Sequence, residues 1–218
     1  MTYLLDAHPE VDEFVYLDAD IMFFSSAQPL LDESSQASIT IIEHRYQEWN
    51  RDLLECGRFN VEWVGFRQNA VGRACAARWR AECLEWCYAR VEDGRMGDQK
   101  YLDAWPTDFP SVHVLQHPGA GVAPWNFTNH HISNRGGAIF IGDAPLVFYH
   151  FHQLQLFEDG SADWMSETYA NGRHRPALIY ERYLLALQAS LESARAVTPS
   201  FSGGFVGGRK AKLRRWAQ

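Results

Sequence analysis

Phe14-Val15-Tyr16-Leu17-Asp18-Ala19-Asp20-Ile21-Met22-Phe23-Phe24 sets two carboxylates inside an otherwise apolar run. The half before the acids reads as a strand that buries its side chains, and the half after them resumes the same character. Two carboxylates delivered at the end of a buried element must be paired, capped or bound to a cation, because an unpartnered charge beside a core is costly.

Working outward, Thr2 to His8 reads as the end of a helix, followed by a turn at Pro9-Glu10. Downstream, Ala37 to Ile42 and Phe59 to Phe66 read as strands rich in β-branched and aromatic residues. From Asn69 to Glu92 the apolar residues Val71, Cys75, Trp79, Cys83 or Leu84, Trp86 or Cys87 and Val91 recur at helical spacing, and Asp93-Gly94 stops them. A glycine-bearing segment with Gly97-Asp98-Gln99 follows, then a short helix, a strand over Val112 to Leu115 and a loop holding Pro124-Trp125-Asn126. Ala138 to Ile141 and Leu146 to Phe151 read as the two arms of a hairpin turned by Gly142-Asp143-Ala144-Pro145. Ala177 to Ala196 reads as an amphipathic helix, and Ser200 to Gly208 as a Gly/Ser-rich linker into a basic tail. The sum is an α/β domain over residues 1–199 with a mixed or mostly parallel sheet flanked by helices.

The chain of 218 residues is 46% hydrophobic, enough for one substantial core, and its 22% of charged residues argues against disorder. A formal net charge of −7 argues against nucleic acid as a partner, since phosphate neutralisation needs clustered cations. The local exception is Arg209, Lys210, Lys212, Arg214 and Arg215 with Leu213 and Trp216, read either as a solvated terminus or as a weak contact with an anionic membrane surface. Cys56, Cys75, Cys83 and Cys87 have no histidine at metal-ligand spacing and read as free thiols. With no secretory signal and no apolar run of ~18 residues, a reducing cytoplasm is the expected location.

An Asp-x-Asp at a strand end can hold a hard divalent cation that also grips a diphosphate. A pair of this kind also caps turns, which is the competing reading. His150-Phe151-His152 ends the second apolar arm, and strand alternation sends its two imidazoles to one side, where one can complete a metal shell. An imidazole beside oxygen ligands favours Mn²⁺ over Mg²⁺. Such a pair in a strand is also common as plain structure.

In order along the chain, Phe14 to Ile21, Phe59-Asn60-Val61-Glu62-Trp63-Val64, Gly97-Asp98-Gln99-Lys100-Tyr101-Leu102 and His150-Phe151-His152 resemble four segments of GT-A nucleotide-diphospho-sugar transferases, especially glycosyltransferase family eight. The resemblance covers about residues 1–155, and the joint order is more specific than any one motif. It implies a GT-A fold and a metal-dependent, retaining sugar transfer from a nucleotide-diphosphate donor to a glycan or other hydroxyl acceptor. By it, Asp18 would touch the donor and the metal, Asp20 would be the main metal carboxylate and His150 the third protein ligand, with His152 a neighbour facing substrate. Asn60 would hydrogen-bond the donor sugar, and Asp98 and Gln99 would sit at the anomeric carbon or acceptor hydroxyl. Trp125 and Asn126 would offer a sugar a stacking face and a polar contact, Trp125 reading equally as core.

Several positions depart from the resembled pattern. Glu62 and Gln153 stand where glycines are expected, and Leu156 where a phosphate-binding lysine is expected, leaving Arg45 or Arg67 to meet the diphosphate. The Asp-x-Asp stands at residue 18, so the nucleobase-reading βαβ portion of such enzymes is expected to be missing. Two rivals remain from the residues themselves. A haloacid-dehalogenase-like phosphatase also starts with a strand ending in Asp-x-Asp, but has Thr or Val where this chain has Met22. A sugar-binding module without turnover is the non-enzymatic one.

Overall fold

The computed structural model describes residues 1–165, Tyr169 and 176–206. The chain divides into two compact units, Met1–His150 and Phe151–Gln218, and its architecture is mixed α/β. Among the described residues no helix is long and apolar enough to cross a membrane. The basic run from Arg209 to Arg215 lies outside the described residues.

The first unit is built on a four-stranded sheet of β1 (Glu13–Leu17), β3 (Ile39–Glu43), β4 (Phe59–Arg67) and β5 (Val112–Val114), in the order β1-β4-β3-β5. β4 runs antiparallel to both β1 and β3, while β3 and β5 are parallel, so the sheet is mixed. Alternation along β1 sends Phe14 and Tyr16 to one core and Val15 and Leu17 to the other. The unit's helices are α1 (Thr2–Ala7), α2 (Gln28–Glu33), α3 (Ala70–Glu85) and α4 (Trp105–Asp108), and α3 closes the first core, its Cys75, Ala76 and Trp79 packing with Ile39, Val64, Phe66 and Trp105. Asn69 caps α3 by accepting the Gly72 amide at 2.9 Å.

Helix α3 ends at Glu85 rather than reaching Glu92, because Trp86 leaves in extended conformation at φ −155°. Its ring then lies under the Arg90 and Arg95 guanidinium groups, 5.8 and 4.9 Å from its centroid, and a bridge from Glu92 to Arg95 closes the Asp93-Gly94 turn. Cation–π stacking and a reverse turn thus replace the last turns of helix.

The expected hairpin over 138–151 is also redrawn. β7 (Ala138–Ile141) pairs with β6 (Ile132–Arg135) and with the two-residue β8 (Ala144–Pro145), turning at Gly142 with φ +59°. The chain then leaves that sheet, since the Val147 and Phe148 amides turn to the Gly119 carbonyl. β9 (Phe148–His150) pairs instead with β2 (Ile21–Phe23), in the register Ile21↔His150 and Phe23↔Phe148.

In the second unit β10 (Gln155–Phe157) pairs antiparallel with β11 (Ala162–Asp163) and parallel with β12 (Phe205–Val206), so part of the stretch expected as linker is strand. The long helix α5 (Ala177–Val197) stacks Tyr183 on Phe151 at 3.6 Å and Tyr180 on Trp164 at 5.0 Å. Leu156, Phe157 and Phe205 face Leu184, Leu187 and Leu191 of α5 across an apolar cleft of about 1040 Å³.

Candidate metal centre

The turn between β1 and β2 presents Asp18 and Asp20, and the end of β9 presents His150. The antiparallel pairing of β2 with β9 brings them together, because it places Ile21, next to Asp20, directly opposite His150. His150 Nε2 lies 2.9 Å from Asp20 Oδ1 and 3.8 Å from Asp18 Oδ2. Tyr16 donates its hydroxyl proton to Asp18 Oδ1 at 3.0 Å, fixing that carboxylate. Asp20 is nearly half exposed, while His150 is buried at 3%. The cluster therefore has an open carboxylate side and a closed imidazole side.

On the closed side His150 Nδ1 donates to Glu62 Oε2 at 2.9 Å, and the Trp125 indole meets the imidazole edge-on at 5.1 Å. Glu62 is fully buried, and its position follows from an irregularity in the sheet. Thr40 faces Gly65 and Ile42 faces Asn60, so the four residues Val61–Val64 of β4 stand against Ile41 alone. A bulge of this kind re-aims side chains. The chain behind is polar: Asn60 accepts the Glu62 amide at 2.7 Å, and its Nδ2 sits 2.8 Å from His44 Nε2.

Electrostatics follow burial and partners. Burial raises Asp18, against the pull of His150 and Tyr16, and the charges of Asp20 and Asp98 add to the rise. Burial also raises Glu62, with the imidazole pulling the other way. For His150, burial alone would lower the ring; Asp20 and Glu62 overcome that and hold it up at about 10.

The structure brings Asp18, Asp20 and His150 together and leaves other expected residues elsewhere. Asp98 is half-buried rather than on an open loop; burial raises its carboxyl, and its charge reaches both Tyr16 and Asp18. Gln99 instead donates its Nε2 to the Cys56 carbonyl at 3.0 Å, a structural tie. Asn60 braces His44 and the β4 bulge from within the core. Trp125, 2% exposed, is core packed on His44 and His150, not an open stacking face. Asn126 is fully buried and knits the backbone, donating to the His44 and Gly121 carbonyls and accepting the Ala123 amide. Its amide is consumed there, so it offers a sugar nothing.

Both arginines are engaged within the fold, Arg67 lying 3.9 Å from the Glu13 carboxylate. Arg67 pairs opposite Glu13, the far end of β1 from Asp18, and its guanidinium donates to the Ser35 and Ala37 carbonyls. Arg45 donates to the Leu115, His117 and Ala120 carbonyls. His152 belongs to the second unit, two residues beyond His150. Glu62 is the site residue that sequence reasoning passed over.

No protein-family profile matches the chain. Two proteins of Bacillus subtilis strain 168 are similar to it, both described as uncharacterized. YfnD is 28% identical over 207 residues, spanning 94% of this chain and 67% of YfnD. YfnF is 27% identical over 208 residues, spanning 92% of this chain and 68% of YfnF.

Proposed function

We propose that this chain carries the metal-binding and acceptor side of a GT-A type glycosyltransferase that moves a sugar from a nucleotide-diphosphate donor to a hydroxyl acceptor. The observation that carries the reading is the meeting of Asp18 and Asp20 with His150, from segments 130 positions apart, at 3.8 and 2.9 Å. A capping role for Asp-x-Asp needs no such distant partner. The donor set suits a divalent cation: two carboxylates, one half-exposed, and an imidazole nitrogen whose far side is held by a buried carboxylate. Gln153 adds a smaller support, since it takes φ +63°, the left-handed conformation that the glycine of the resembled segment adopts readily.

Asp18, Asp20 and the Nε2 atom of His150 would hold the ion; the imidazole favours Mn²⁺ over Mg²⁺. When bound, the ion would offset the charge that gathers on the diphosphate as the sugar leaves. The chain's own residues do the rest. Tyr16 orients Asp18 and Glu62 keeps a proton on Nδ1, so that Nε2, once its own proton is displaced, would turn its lone pair to the ion; Asp98 would assist the acceptor hydroxyl.

The test is a donor-hydrolysis screen across nucleotide sugars, with Mn²⁺ or chelator, on the wild-type chain and on Asp20→Asn. Slow hydrolysis that requires Mn²⁺ and disappears in the variant is expected. Donor binding without any hydrolysis would point to a sugar-binding module, and release of inorganic phosphate from phosphomonoesters to a phosphatase.

A further inference from the structure

Glu62 sits where the resembled strand has glycine, and nothing in that resemblance gives it a role. Its physical situation is unusual. The side chain is fully buried, Oε2 accepts a hydrogen bond from His150 Nδ1–H at 2.9 Å, and among the described residues Oε1 has no hydrogen-bond partner. A carboxylate kept in a core with one bonded oxygen costs stability, and an apolar residue of its size would remove that cost. The fold also makes room for it. Gly121 has φ +66°, and a Cβ there would fall 2.8 Å from Glu62 Oε1 and 2.6 Å from Ile42 Cδ1. The β4 bulge at Val61–Val64 turns the side chain toward His150.

We infer that Glu62 is a positioning residue that makes the centre selective for Mn²⁺-like transition ions over Mg²⁺. The inference rests on the proposed metal reading and deepens it. A carboxylate on Nδ1 fixes the tautomer, locks the ring plane and strengthens Nε2 as a donor. That gain reaches an ion only through nitrogen. Mg²⁺ draws its affinity from oxygen ligands and water, so it profits little, whereas Mn²⁺ accepts imidazole readily. Selectivity is therefore set one shell behind the ligands, in the core of the sheet.

The experiment measures Mn²⁺ and Mg²⁺ binding to the full chain without donor, reading free Mn²⁺ by electron paramagnetic resonance and Mg²⁺ by its competition. Wild type, Glu62→Gln and Glu62→Leu are compared, with melting in chelator as the check on folding. Glu62→Leu is expected to weaken Mn²⁺ by ~10- to 100-fold. Its Mg²⁺ affinity should change far less, so that the Mn²⁺ to Mg²⁺ ratio falls. Glu62→Gln, which keeps an acceptor without the charge, should fall between, and should retain the nitrogen coupling in the pulsed spectrum of bound Mn²⁺. An unchanged ratio in folded Glu62→Gln and Glu62→Leu overturns the inference and leaves the metal reading standing. If Glu62→Leu does not fold, the ratio in Glu62→Gln decides. A wild-type chain that binds no Mn²⁺ at all overturns the metal reading itself, and the inference with it.

Discussion

His150 holds a proton in a place where burial alone would strip it. Asp20 and Glu62 flank the ring and hold its pKa up at about 10, above the ~6.5 of a free imidazole. A folded-state value above the unfolded one means stabilisation that is complete below ~6.5 and lost as pH rises through about 10. The metal-free protein should therefore melt at falling temperature between pH 7 and pH 10 in chelator, and His150→Gln should flatten that slope. Mn²⁺ affinity should run the opposite way, rising over the same range, because the ion must displace the Nε2 proton. Asp98→Asn makes the second residue-scale prediction: on the proposed reading, turnover should fall by ~10²-fold or more with donor affinity little changed. Wild-type turnover in that variant would reduce Asp98 to a structural carboxylate. The Asp-x-Asp and His150 were legible in the sequence because charges interrupt apolar runs. Glu62 carried the same signal inside Phe59 to Phe66, but comparison with a glycine-bearing pattern presented it as a mismatch instead of a buried charge in need of a partner. For Trp125 the sequence left sugar stacking and core packing level and the structure has the core, while Asn126 turns inward, since an amphipathic residue type says nothing about which way it faces.

Helix α3 meets the sheet through Gly72, which lies in its first turn. A Cβ there would stand 2.2 Å from the Arg67 carbonyl oxygen and 2.9 Å from that of Ser38. Gly→Ala inside a helix ordinarily stabilises by about 1 kcal/mol, so the backbone contact sets a competing sign. Overpacking against backbone, which cannot rotate away, should win by roughly 1–3 kcal/mol, and urea unfolding of Gly72→Ala should show the loss. Elements whose pattern is local were readable beforehand: β1, β3, β4 and β5 by apolar runs, α3 and α5 by spacing. What was not readable is which strand pairs with which. Ala138 to Ile141 and Leu146 to Phe151 look like hairpin arms from composition alone, yet the second arm carries His150 to β2 because hydrogen bonding at Gly119 redirects it. The bulge in β4 likewise depends on Ile41 across the sheet, and no one-strand pattern contains it.

Across the whole molecule the four cysteines are free thiols. They differ sharply in access, which makes them reporters of folding. Cys87 is exposed, Cys56 and Cys83 are partly covered, and Cys75 is buried; burial also pushes the Cys83 thiol up to about 12 and raises Cys75. Alkylation of the native protein, followed by peptide mass spectrometry, should label Cys87 first, Cys56 and Cys83 slowly, and Cys75 only on unfolding. Labelling of Cys75 at the rate of Cys87 would contradict the α3 packing. The three-residue ladder of β2 with β9 has a kinetic meaning of its own. It ties residue 21 to residue 150, a loop whose closure costs ~4 kcal/mol more than a contact between neighbours. Few residues repay that cost, so the ladder should close after the central sheet, with φ-values near zero at Ile21 and Phe148. An ion held across it would act on the way out: on the proposed reading, Mn²⁺ should leave the folding rate almost untouched and slow unfolding.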